Sequence, residues 1–186
     1  MPQNKACFLD RDGVLIEEKD YLCDPAGVVL ADRLEEIFAH LRARGYKVII
    51  ISNQAGIAKG YFKEEQLHAV QKRIDELLAR FGEKLDGVYY CYHHAKGVIP
   101  EYTKECNCRK PAPGMILQAA KDHDIDLAQS VMIGDRVSDV QAGINAGCRA
   151  VALVRTGHGL NEDLSKATAP VTDAPDLYTA ITTLIP

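Results

Sequence analysis

Apolar positions along this chain follow two patterns, which alternate over most of its length. Short, continuously apolar runs are typical of buried strands, and five occur, within KACFLD, YKVIIIS, DGVYYC, SVMIGD and CRAVALV. Helices are predicted for residues 31–44, 63–81, 113–123 and 138–146. In the first two of these segments the apolar residues lie three and four positions apart, as on one face of a helix. A last helix is predicted at the end of the sequence, with Leu177, Ile181 and Leu184 facing inward. Neither pattern extends through residues 93–112 or 156–174, which we predict to be loops.

This alternation of strands and helices predicts a sheet of parallel strands covered by helices on both faces, a three-layer α/β/α fold of the Rossmann type. We predict a single domain over residues 1–186, because the chain has neither an internal repeat nor an insertion large enough for a cap domain. Ligands of such sheets bind beyond the carboxyl ends of the strands. Polar residues that directly follow a predicted strand are therefore the first candidates for a functional site.

Composition and charge narrow the choice of partners. The net charge of −4 counts against a nucleic-acid partner. The N-terminal sequence MPQNKACFLDRDG lacks the long apolar run of a signal peptide, and the apolar runs elsewhere are too short to cross a bilayer. We therefore expect a cytoplasmic protein without a membrane partner, and we take it to act as a monomer. In that compartment the six cysteines are expected to be metal ligands, buried thiols or catalytic groups rather than disulfides.

Acidic residues follow two of the predicted strands. Asp10 and Asp12 follow the first strand, and Asp135 ends the fourth, with Asp139 one helical turn further on. The first pair alone is also typical of a plain turn. Three or four carboxylates at one edge of a sheet, however, repel one another and need a cation. Hard oxygen ligands with room for water suit Mg²⁺, so we predict a magnesium site here.

Signals of phosphate binding lie beside this acidic edge. Ser52 and Asn53 end the second strand and are followed by Gln54 and a glycine-containing turn, QAGIAKG. A hydroxyl together with exposed backbone amides can bind a phosphate group, although this segment alone is also typical of an ordinary loop. Lys110, beside Arg109, offers the fixed cation that a phosphoryl group needs. The sequence therefore predicts a phosphate pocket next to the carboxylates.

These segments resemble the four sequence motifs of haloacid-dehalogenase-type phosphatases. DRDGV is similar to the family's first motif, Ser52 to the second, Lys110 to the third and GDRVSD to the fourth. The motifs occur in the family's order over about residues 5–155. The resemblance is specific because all four motifs fall on the predicted elements that carry them in the family.

The resemblance implies a mechanism. Asp10 attacks phosphorus and forms an aspartyl-phosphate. Asp12 protonates the leaving oxygen and then activates the water that hydrolyses this intermediate. The carboxylates of Asp10 and Asp135 and the main-chain oxygen of Asp12 hold Mg²⁺. Ser52, the Asn53 amide and Lys110 bind the non-bridging phosphoryl oxygens. The two remaining roles are substrate binding by Gln54 and orientation of the lysine by Asp139.

Four other residues form two closely spaced pairs, Cys91-x-His93 and Cys106-x-Cys108. Three thiolates and one imidazole are an ordinary ligand set for structural zinc. The stretch between the pairs has almost no apolar residues that could order it by burial. We therefore predict a zinc-binding loop over residues 91–110. Scattered thiols, a disulfide and a catalytic cysteine are the weaker alternatives, and from the residues alone the neighbouring histidine could replace His93.

With these two pairs of predicted zinc ligands, the chain resembles in particular a zinc-containing, capless branch of the superfamily. This branch includes heptose 1,7-bisphosphate 7-phosphatases and histidinol-phosphate phosphatases. The segments ISNQAGIAKGYF, GVYYCYHH, CNCRKPAPGM and VRTG look like the heptose enzymes. This resemblance selects His93 rather than His94 as the zinc ligand, and it implies that Arg109 recognises the distal phosphate. It also implies further substrate contacts by Arg136, Glu18, Lys19, Asp20 and Tyr21.

The function that follows is Mg²⁺-dependent hydrolysis of the 7-phosphate of D-glycero-D-manno-heptose 1,7-bisphosphate, a step towards activated heptose for lipopolysaccharide or other surface glycans. The alternatives are a phosphatase for histidinol phosphate or another small phosphate, and a zinc-dependent binding module. The absence of Trp and the acidic balance count against the module, which also leaves the carboxylates unexplained. The remaining cysteines are expected to be free: Cys7, Cys23 and Cys148.

Overall fold

A computed structural model of the chain describes residues 3–186 and contains a sheet of six parallel strands. The strands are β1 (Lys5–Leu9), β2 (Tyr46–Asn53), β3 (Gly87–Cys91), β4 (Val131–Gly134), β5 (Ala150–Val154) and β6 (Thr172–Ala174). They lie side by side in the order β3-β2-β1-β4-β5-β6. The α-helices in the described residues are α1 (Leu34–Ala43), α2 (Glu64–Ala79), α3 (Gly114–Asp122), α4 (Val137–Ala146) and α5 (Leu177–Leu184).

Each face of the sheet carries its own apolar core, because alternate residues of a strand point to opposite faces. On one face, strand residues such as Cys7 and Ile50 pack with the buried side chains of α1, α2 and α5. On the other face, Phe8 and Ile51 pack with those of α3 and α4. The predicted three-layer α/β/α fold is therefore confirmed.

All five predicted strands and all five predicted helices are present, with ends that differ by a few residues. The prediction of a loop through residue 174 is wrong at its end, where β6 lies at the edge of the sheet. Only Ala174 of this strand is buried, and Asp173 pairs with Arg155 at 2.7 Å. Three residues with one buried position give no recognisable apolar pattern.

The order of the strands reverses between β1 and β4 and so opens a crevice. β1 to β3 follow one another towards one edge of the sheet, and β4 to β6 towards the other. The loops after β1 and β4 therefore run in opposite directions, and a ligand crevice forms between them. The two strand ends lie close together, since the backbone N–H of Asp10 donates to the carbonyl of Ile133 at 3.0 Å.

Loops of the described residues surround this crevice. Residues 3–186 form no second sheet, and the long segment after β3 contains a single short turn of 3₁₀ helix at Pro100–Tyr102. Within the same residues, the helices are all too short or too polar to cross a bilayer.

Candidate active site

A pocket of about 350 Å³ lies at the carboxyl ends of β1 and β2, a size typical of small-molecule sites. Its lining includes twelve of the predicted site residues: Asp10, Asp12, Glu18, Asp20, Tyr21, Ser52, Asn53, Gln54, Arg109, Lys110, Arg136 and Asp139. Lys19 is not among them, and its Nζ lies 4.0 Å from Glu17 Oε2. Asp135 is buried and is not among them either, but one of its oxygens lies within 4.8 Å of an oxygen of Asp10, which lines the pocket. The structure thus brings together nearly all of the residues that the four motifs and the loop after β1 supply.

The carboxylates at the floor lie close together. One oxygen each from Asp10, Asp135 and Asp139 lies within 4.8 Å of the other two. Asp135 Oδ2 accepts a hydrogen bond from the backbone N–H of His158 at 2.8 Å, whereas its buried Oδ1 has no partner. Burial, and then the charges of Asp10 and Asp139, raises the pKa of Asp135 to about 8. A buried, unpartnered oxygen among repelling carboxylates fits a hard divalent cation.

Two glycines let the backbone approach Asp135 closely. Gly13 has φ +79°, and a Cβ there would lie 2.3 Å from Asp135 Oδ2. Gly157 has φ +50°, and its Cβ would lie 2.5 Å from the same oxygen. Any larger residue at either position would both strain the backbone and push the carboxylate out of place. Gly157 belongs to a loop that sequence reasoning did not connect with the site.

Lys110 is the buried cation of the pocket floor. Its Nζ lies 2.9 Å from Asp10 Oδ1 and 2.7 Å from Asp139 Oδ1, and it donates to the carbonyl of Ile51 at 2.7 Å. Burial disfavours the charge, but the two carboxylates outweigh this effect and raise the pKa of Lys110. The other oxygen of Asp139 accepts the backbone N–H of Arg136 at 2.9 Å. Protein groups therefore occupy both oxygens of Asp139, and it holds the lysine in place.

Arg11, between the two aspartates of the first motif, is a site residue that sequence reasoning missed. Its Nε and one terminal nitrogen donate to the two carboxylate oxygens of Asp12, at 3.1 and 2.9 Å. Gln54 donates to Asp12 at 2.8 Å and to the hydroxyl of Ser52 at 3.0 Å. The side chain of Arg11 is buried, and a buried arginine needs such a carboxylate partner. The only signal in the sequence is a charged residue at the end of an apolar strand.

A reciprocal pair of hydrogen bonds joins β2 to the segment that carries Lys110. The side chain of Asn53 donates to the carbonyl of Lys110 at 3.1 Å and accepts from its backbone N–H at 3.0 Å. The sequence-based expectation concerned the backbone amide of Asn53, and this second use of its side chain was not foreseen. The two hydrogen bonds fix the position of the Lys110 backbone relative to the end of β2.

The loop after β1 also lines the pocket, together with residues that sequence reasoning missed, among them Lys59 and His158. Glu18 pairs with His158 at 3.3 Å and accepts the backbone N–H of Asp20 at 2.8 Å. Asp20 and Tyr21 both have positive φ values, 37° and 59°. Two successive non-glycine residues in this region store strain, which is common in ligand-binding loops.

The second cluster lies in the loop after β3 and consists of Cys91, His93, Cys106 and Cys108. Its four donor atoms lie within 4.8 Å of one another. Cys91 Sγ is 3.5 Å from Cys106 Sγ and 2.9 Å from Cys108 Sγ, well beyond the ~2.05 Å of a disulfide bond. A tetrahedral metal with bonds of ~2.3 Å to sulfur would place its sulfur ligands roughly 3.7 Å apart. These four residues can therefore hold a metal ion.

The neighbouring histidines point to different partners. His93 Nδ1 lies 3.4 Å from Cys108 Sγ, whereas His94 Nδ1 accepts the backbone N–H of Lys96 at 3.0 Å. The loop also connects the metal cluster to the pocket, because Arg109 directly follows Cys108 and donates to the carbonyl of His93 at 3.3 Å. The described cysteines outside the cluster are free, as expected: Cys7, Cys23 and Cys148.

Comparisons with known proteins agree with this geometry. A family model described as HAD-hydrolase-like matches residues 107–180. The chain is 44% identical over 154 residues to the D-glycero-beta-D-manno-heptose-1,7-bisphosphate 7-phosphatase of Haemophilus influenzae, which covers 83% of each chain. It is 40% identical over 163 residues to the corresponding alpha enzyme of Photorhabdus laumondii, covering 88% of this chain and 89% of the relative.

A solved structure of the D,D-heptose 1,7-bisphosphate phosphatase from B. bronchiseptica, in complex with magnesium and phosphate, is also similar. It superimposes with a TM-score of 0.83 at 32% identity and covers 97% of both chains. The likeness therefore extends over nearly the whole molecule and includes the loops that build the pocket.

Proposed function

This chain belongs to the haloacid-dehalogenase-like hydrolases, in the family of heptose-1,7-bisphosphate 7-phosphatases, and on that premise we propose that it hydrolyses the 7-phosphate of D-glycero-D-manno-heptose 1,7-bisphosphate. It is thus a phosphoric monoester hydrolase. The observation that carries the proposal is the pocket floor, where Asp10 lies beside the buried Lys110 and beside Asp135, whose Oδ1 has no partner among the described residues. A nucleophile, a fixed cation and a cation site within one pocket are what phosphoryl transfer requires.

In the proposed reaction, an oxygen of Asp10 attacks phosphorus and the bond from phosphorus to the sugar oxygen breaks. Asp10 Oδ1 accepts from Lys110 at 2.9 Å, and among the described residues its other oxygen accepts no hydrogen bond. Asp12 gives its proton to the departing sugar oxygen and later takes one from the water that attacks the aspartyl-phosphate. Arg11 and Gln54 hold the Asp12 carboxylate beside this path.

The phosphoryl oxygens lie, in this proposal, against Ser52, the Asn53 amide and Lys110. The hydroxyl of Ser52 accepts from Gln54 at 3.0 Å, which leaves its own hydrogen free to donate. Lys110 carries a charge that Asp139 fixes in position before the substrate arrives. Donors that are already oriented stabilise the charge that spreads over the phosphoryl oxygens in the transition state without reorganisation.

We assign Mg²⁺ to the carboxylates of Asp10 and Asp135 and to the main-chain oxygen of Asp12. When bound there, the ion would neutralise charge on the phosphoryl group. Asp139, whose oxygens are occupied by Lys110 and by the Arg136 amide, stays outside this ligand set. The fit rests on the buried Oδ1 of Asp135, which has no hydrogen-bond partner among the described residues and can accept a cation.

We assign zinc to the cluster of Cys91, His93, Cys106 and Cys108. Four protein ligands leave no open position, which is typical of a structural rather than a catalytic site. Burial, and then hydrogen bonding with Cys108, raises the pKa of the Cys91 thiol in the metal-free cluster. A soft divalent cation reverses this preference because it binds the thiolate.

The raised pKa of Asp135 predicts how metal-free protein responds to pH. Its pKa rises from 3.8 to about 8 on folding, so between these values the folded state keeps a proton that the unfolded chain has lost. The free energy of unfolding therefore falls as the pH rises through this range. In EDTA we expect the Tm to be lower at pH 8 than at pH 6. We expect added Mg²⁺ to raise the Tm by about 3 °C or more at pH 8, and by less at pH 6.

Thermal unfolding of wild type and Asp135→Asn at both pH values measures this effect. Because the asparagine carries no charge at either pH, the variant should lose both the Mg²⁺ increment and this part of the pH dependence. An equal Mg²⁺ increment in the variant would show that Asp135 is not a ligand.

The sugar and its distal phosphate occupy the outer pocket in this proposal. Arg109 and Arg136 line it, and no carboxylate of the described residues lies within 4.0 Å of either guanidinium. They can therefore offset the phosphate that does not react. Glu18, Asp20 and Tyr21 line the same region and can contact the sugar hydroxyls. Lys19 lies outside the pocket lining, so we assign it no contact.

Phosphate release from a panel of substrates tests the proposed function. The panel contains both anomers of the heptose 1,7-bisphosphate, fructose 1,6-bisphosphate and histidinol phosphate. We expect one of the heptose anomers to give the highest kcat/KM, by about tenfold or more over histidinol phosphate, which has no distal phosphate to meet the unpaired arginines. A preference for histidinol phosphate, which has only one phosphate, would overturn the proposal that a heptose bisphosphate is the substrate.

We further propose that residues 1–186 form one phosphatase domain that acts as a cytoplasmic monomer, with residues 91–110 as its zinc-binding loop. The single sheet and the position of the site within it support the first part. Sedimentation of the purified protein tests the second, since a dimer would sediment faster.

A further inference from the structure

Lys59 is a cation of the pocket that no step above uses. Of the basic residues that line the pocket, Lys110 is bound by two carboxylates. Lys59, Arg109 and Arg136 line the same pocket, and in the described part of the chain none of them lies within 4.0 Å of a carboxylate oxygen. An uncompensated cation on a pocket wall that also carries acidic residues is stabilised when an anion binds beside it.

The backbone of Lys59 is held firmly. It lies in the turn after β2, where its N–H donates to the carbonyl of Ala55 at 3.0 Å. The preceding residue, Ala58, accepts two backbone hydrogen bonds from the loop after β3, from Val98 at 2.7 Å and Ile99 at 3.0 Å. This loop is the one that carries Arg109. The two cations are therefore presented by segments that are bonded to each other.

A hydrogen bond orients the side chain of Lys59, but no negative charge among the described residues neutralises it. Its Nζ donates to the hydroxyl of Tyr21 at 2.6 Å and lies 5.1 Å from the centre of that ring. Tyr21 in turn packs edge-on against Tyr61, with ring centres 4.7 Å apart. A tyrosine hydroxyl carries no charge, and an ammonium group has three hydrogens to donate. Two donors and the full positive charge thus remain for a ligand.

The exposure of these groups places Lys59 at the outer end of the pocket. Asp10 and Lys110, at the reacting end, are 7% and 4% exposed. Tyr21 and Tyr61, which flank Lys59, are 44% and 59% exposed. An anion bound by Lys59 is therefore not the phosphoryl group that Asp10 attacks but one at the other end of the same ligand.

We propose that Lys59 is a specificity-determining residue that binds the non-reacting phosphate of a sugar bisphosphate in the pocket that Arg109 and Arg136 also line, and that Tyr21 orients it. The inference rests on the proposed function, since it needs a substrate with a second phosphate. It adds a third cation to the two arginines, from a different segment. The hydroxyl of Tyr21 holds the ammonium group in place before the substrate arrives.

The test compares two substrates, the heptose 1,7-bisphosphate and the heptose 7-phosphate, which lacks only the distal phosphate. The readout is the ratio of their kcat/KM values. In Lys59→Met we expect this ratio to fall about tenfold, because one charge-assisted contact to the distal phosphate is lost. In Lys59→Arg, which keeps the charge, the ratio should stay within about threefold of wild type. Lys72→Met, on the exposed face of α2, is the matched control and should not change the ratio.

Tyr21→Phe separates a ligand contact from a purely structural role. If Lys59 served only to hold Tyr21, both Lys59→Met and Tyr21→Phe would slow the two substrates equally and leave the ratio unchanged, and the proposal would be overturned. If the lysine binds the phosphate, Tyr21→Phe should lower the ratio less than Lys59→Met does. A wild type that releases no phosphate from the bisphosphate would overturn the proposed function and this inference together, whereas an active wild type with an unchanged ratio in Lys59→Met would overturn this inference alone.

Discussion

Asp10→Asn is expected to lower kcat on the heptose bisphosphate by at least about 10⁴-fold, because removal of a nucleophile abolishes the covalent route. The amide nitrogen of asparagine cannot take the place of a carboxylate oxygen at phosphorus. Substrate affinity should fall much less than kcat, since the variant removes a negative charge beside an incoming anion. Steady-state phosphate release measures the first effect, and mass spectrometry of acid-quenched protein detects whether an aspartyl-phosphate still forms.

The substitution should leave the fold intact. Lys110 keeps its bonds to Asp139 and to the carbonyl of Ile51, and the loss of one carboxylate relieves repulsion at the floor. The Tm of Asp10→Asn in EDTA should therefore be equal to or above that of wild type. Asp32→Asn, at an exposed aspartate before α1, is the charge-matched control and should keep full activity. Survival of both phosphatase activity and phosphoenzyme in Asp10→Asn would refute the nucleophile assignment.

Strong periodicity explains how much of the fold the sequence predicts. Leu34, Ile37, Phe38 and Leu41 repeat with helical spacing, and all four are buried in α1. The helix ends before Gly45, which adopts φ +73° as a helix stop requires. Strand β6 was missed because pairing at an edge depends on the neighbouring strand and needs few apolar residues of its own.

Residues of the candidate site could be predicted from the sequence where they end a strand or directly follow it. Asp10, Ser52 and Asp135 each come directly after an apolar run or end it, and the parallel sheet brings such positions to one edge. Residues that reach the site from other parts of the chain do not follow an apolar run, so the sequence gives no signal for them. His158 binds Asp135 through its backbone N–H, which every residue except proline possesses, and Lys59 comes from a turn that is hydrogen-bonded to a distant loop.

Arg11 shows a different limit of prediction from the sequence. Its position in the first motif is plain from the sequence, but its burial and its two bonds to Asp12 depend on the packing around the strand end. An arginine beside two aspartates is equally compatible with a solvated turn. Only the structure decides between these cases, because burial of a charge is a property of the surroundings and not of local spacing.

The metal cluster and the pocket are coupled through a short length of chain. Cys108 is followed at once by Arg109 and Lys110, and the backbone of Lys110 is bonded on both sides to the side chain of Asn53. The loop also holds the turn that carries Lys59. A metal that fixes the loop therefore fixes three cations of the pocket at once, Arg109, Lys110 and Lys59.

Cys108→Ser should for this reason reduce both the zinc content and the activity, without removing the nucleophile. The serine hydroxyl is a poor zinc ligand, so we expect zinc to fall well below about one ion per chain. Displacement of Lys110 by about 1 Å is enough to lower kcat/KM by about 100-fold. Metal analysis of purified protein and phosphate release measure the two effects. Cys23→Ser, which changes a free thiol outside the cluster, is the matched control and should alter neither.

Two outcomes would contradict this coupling, and they have different meanings. Full activity in a zinc-free Cys108→Ser protein would show that the loop is ordered without the metal. Loss of activity with the zinc retained would show that Cys108 acts on the pocket in another way. Under the proposed coupling, slow formation of an aspartyl-phosphate should persist in Cys108→Ser and be absent in Asp10→Asn, because Asp10 and Asp135 directly follow β1 and β4 and do not belong to the loop. The same mass-spectrometric assay, applied to both variants, therefore separates a displaced lysine from a missing nucleophile.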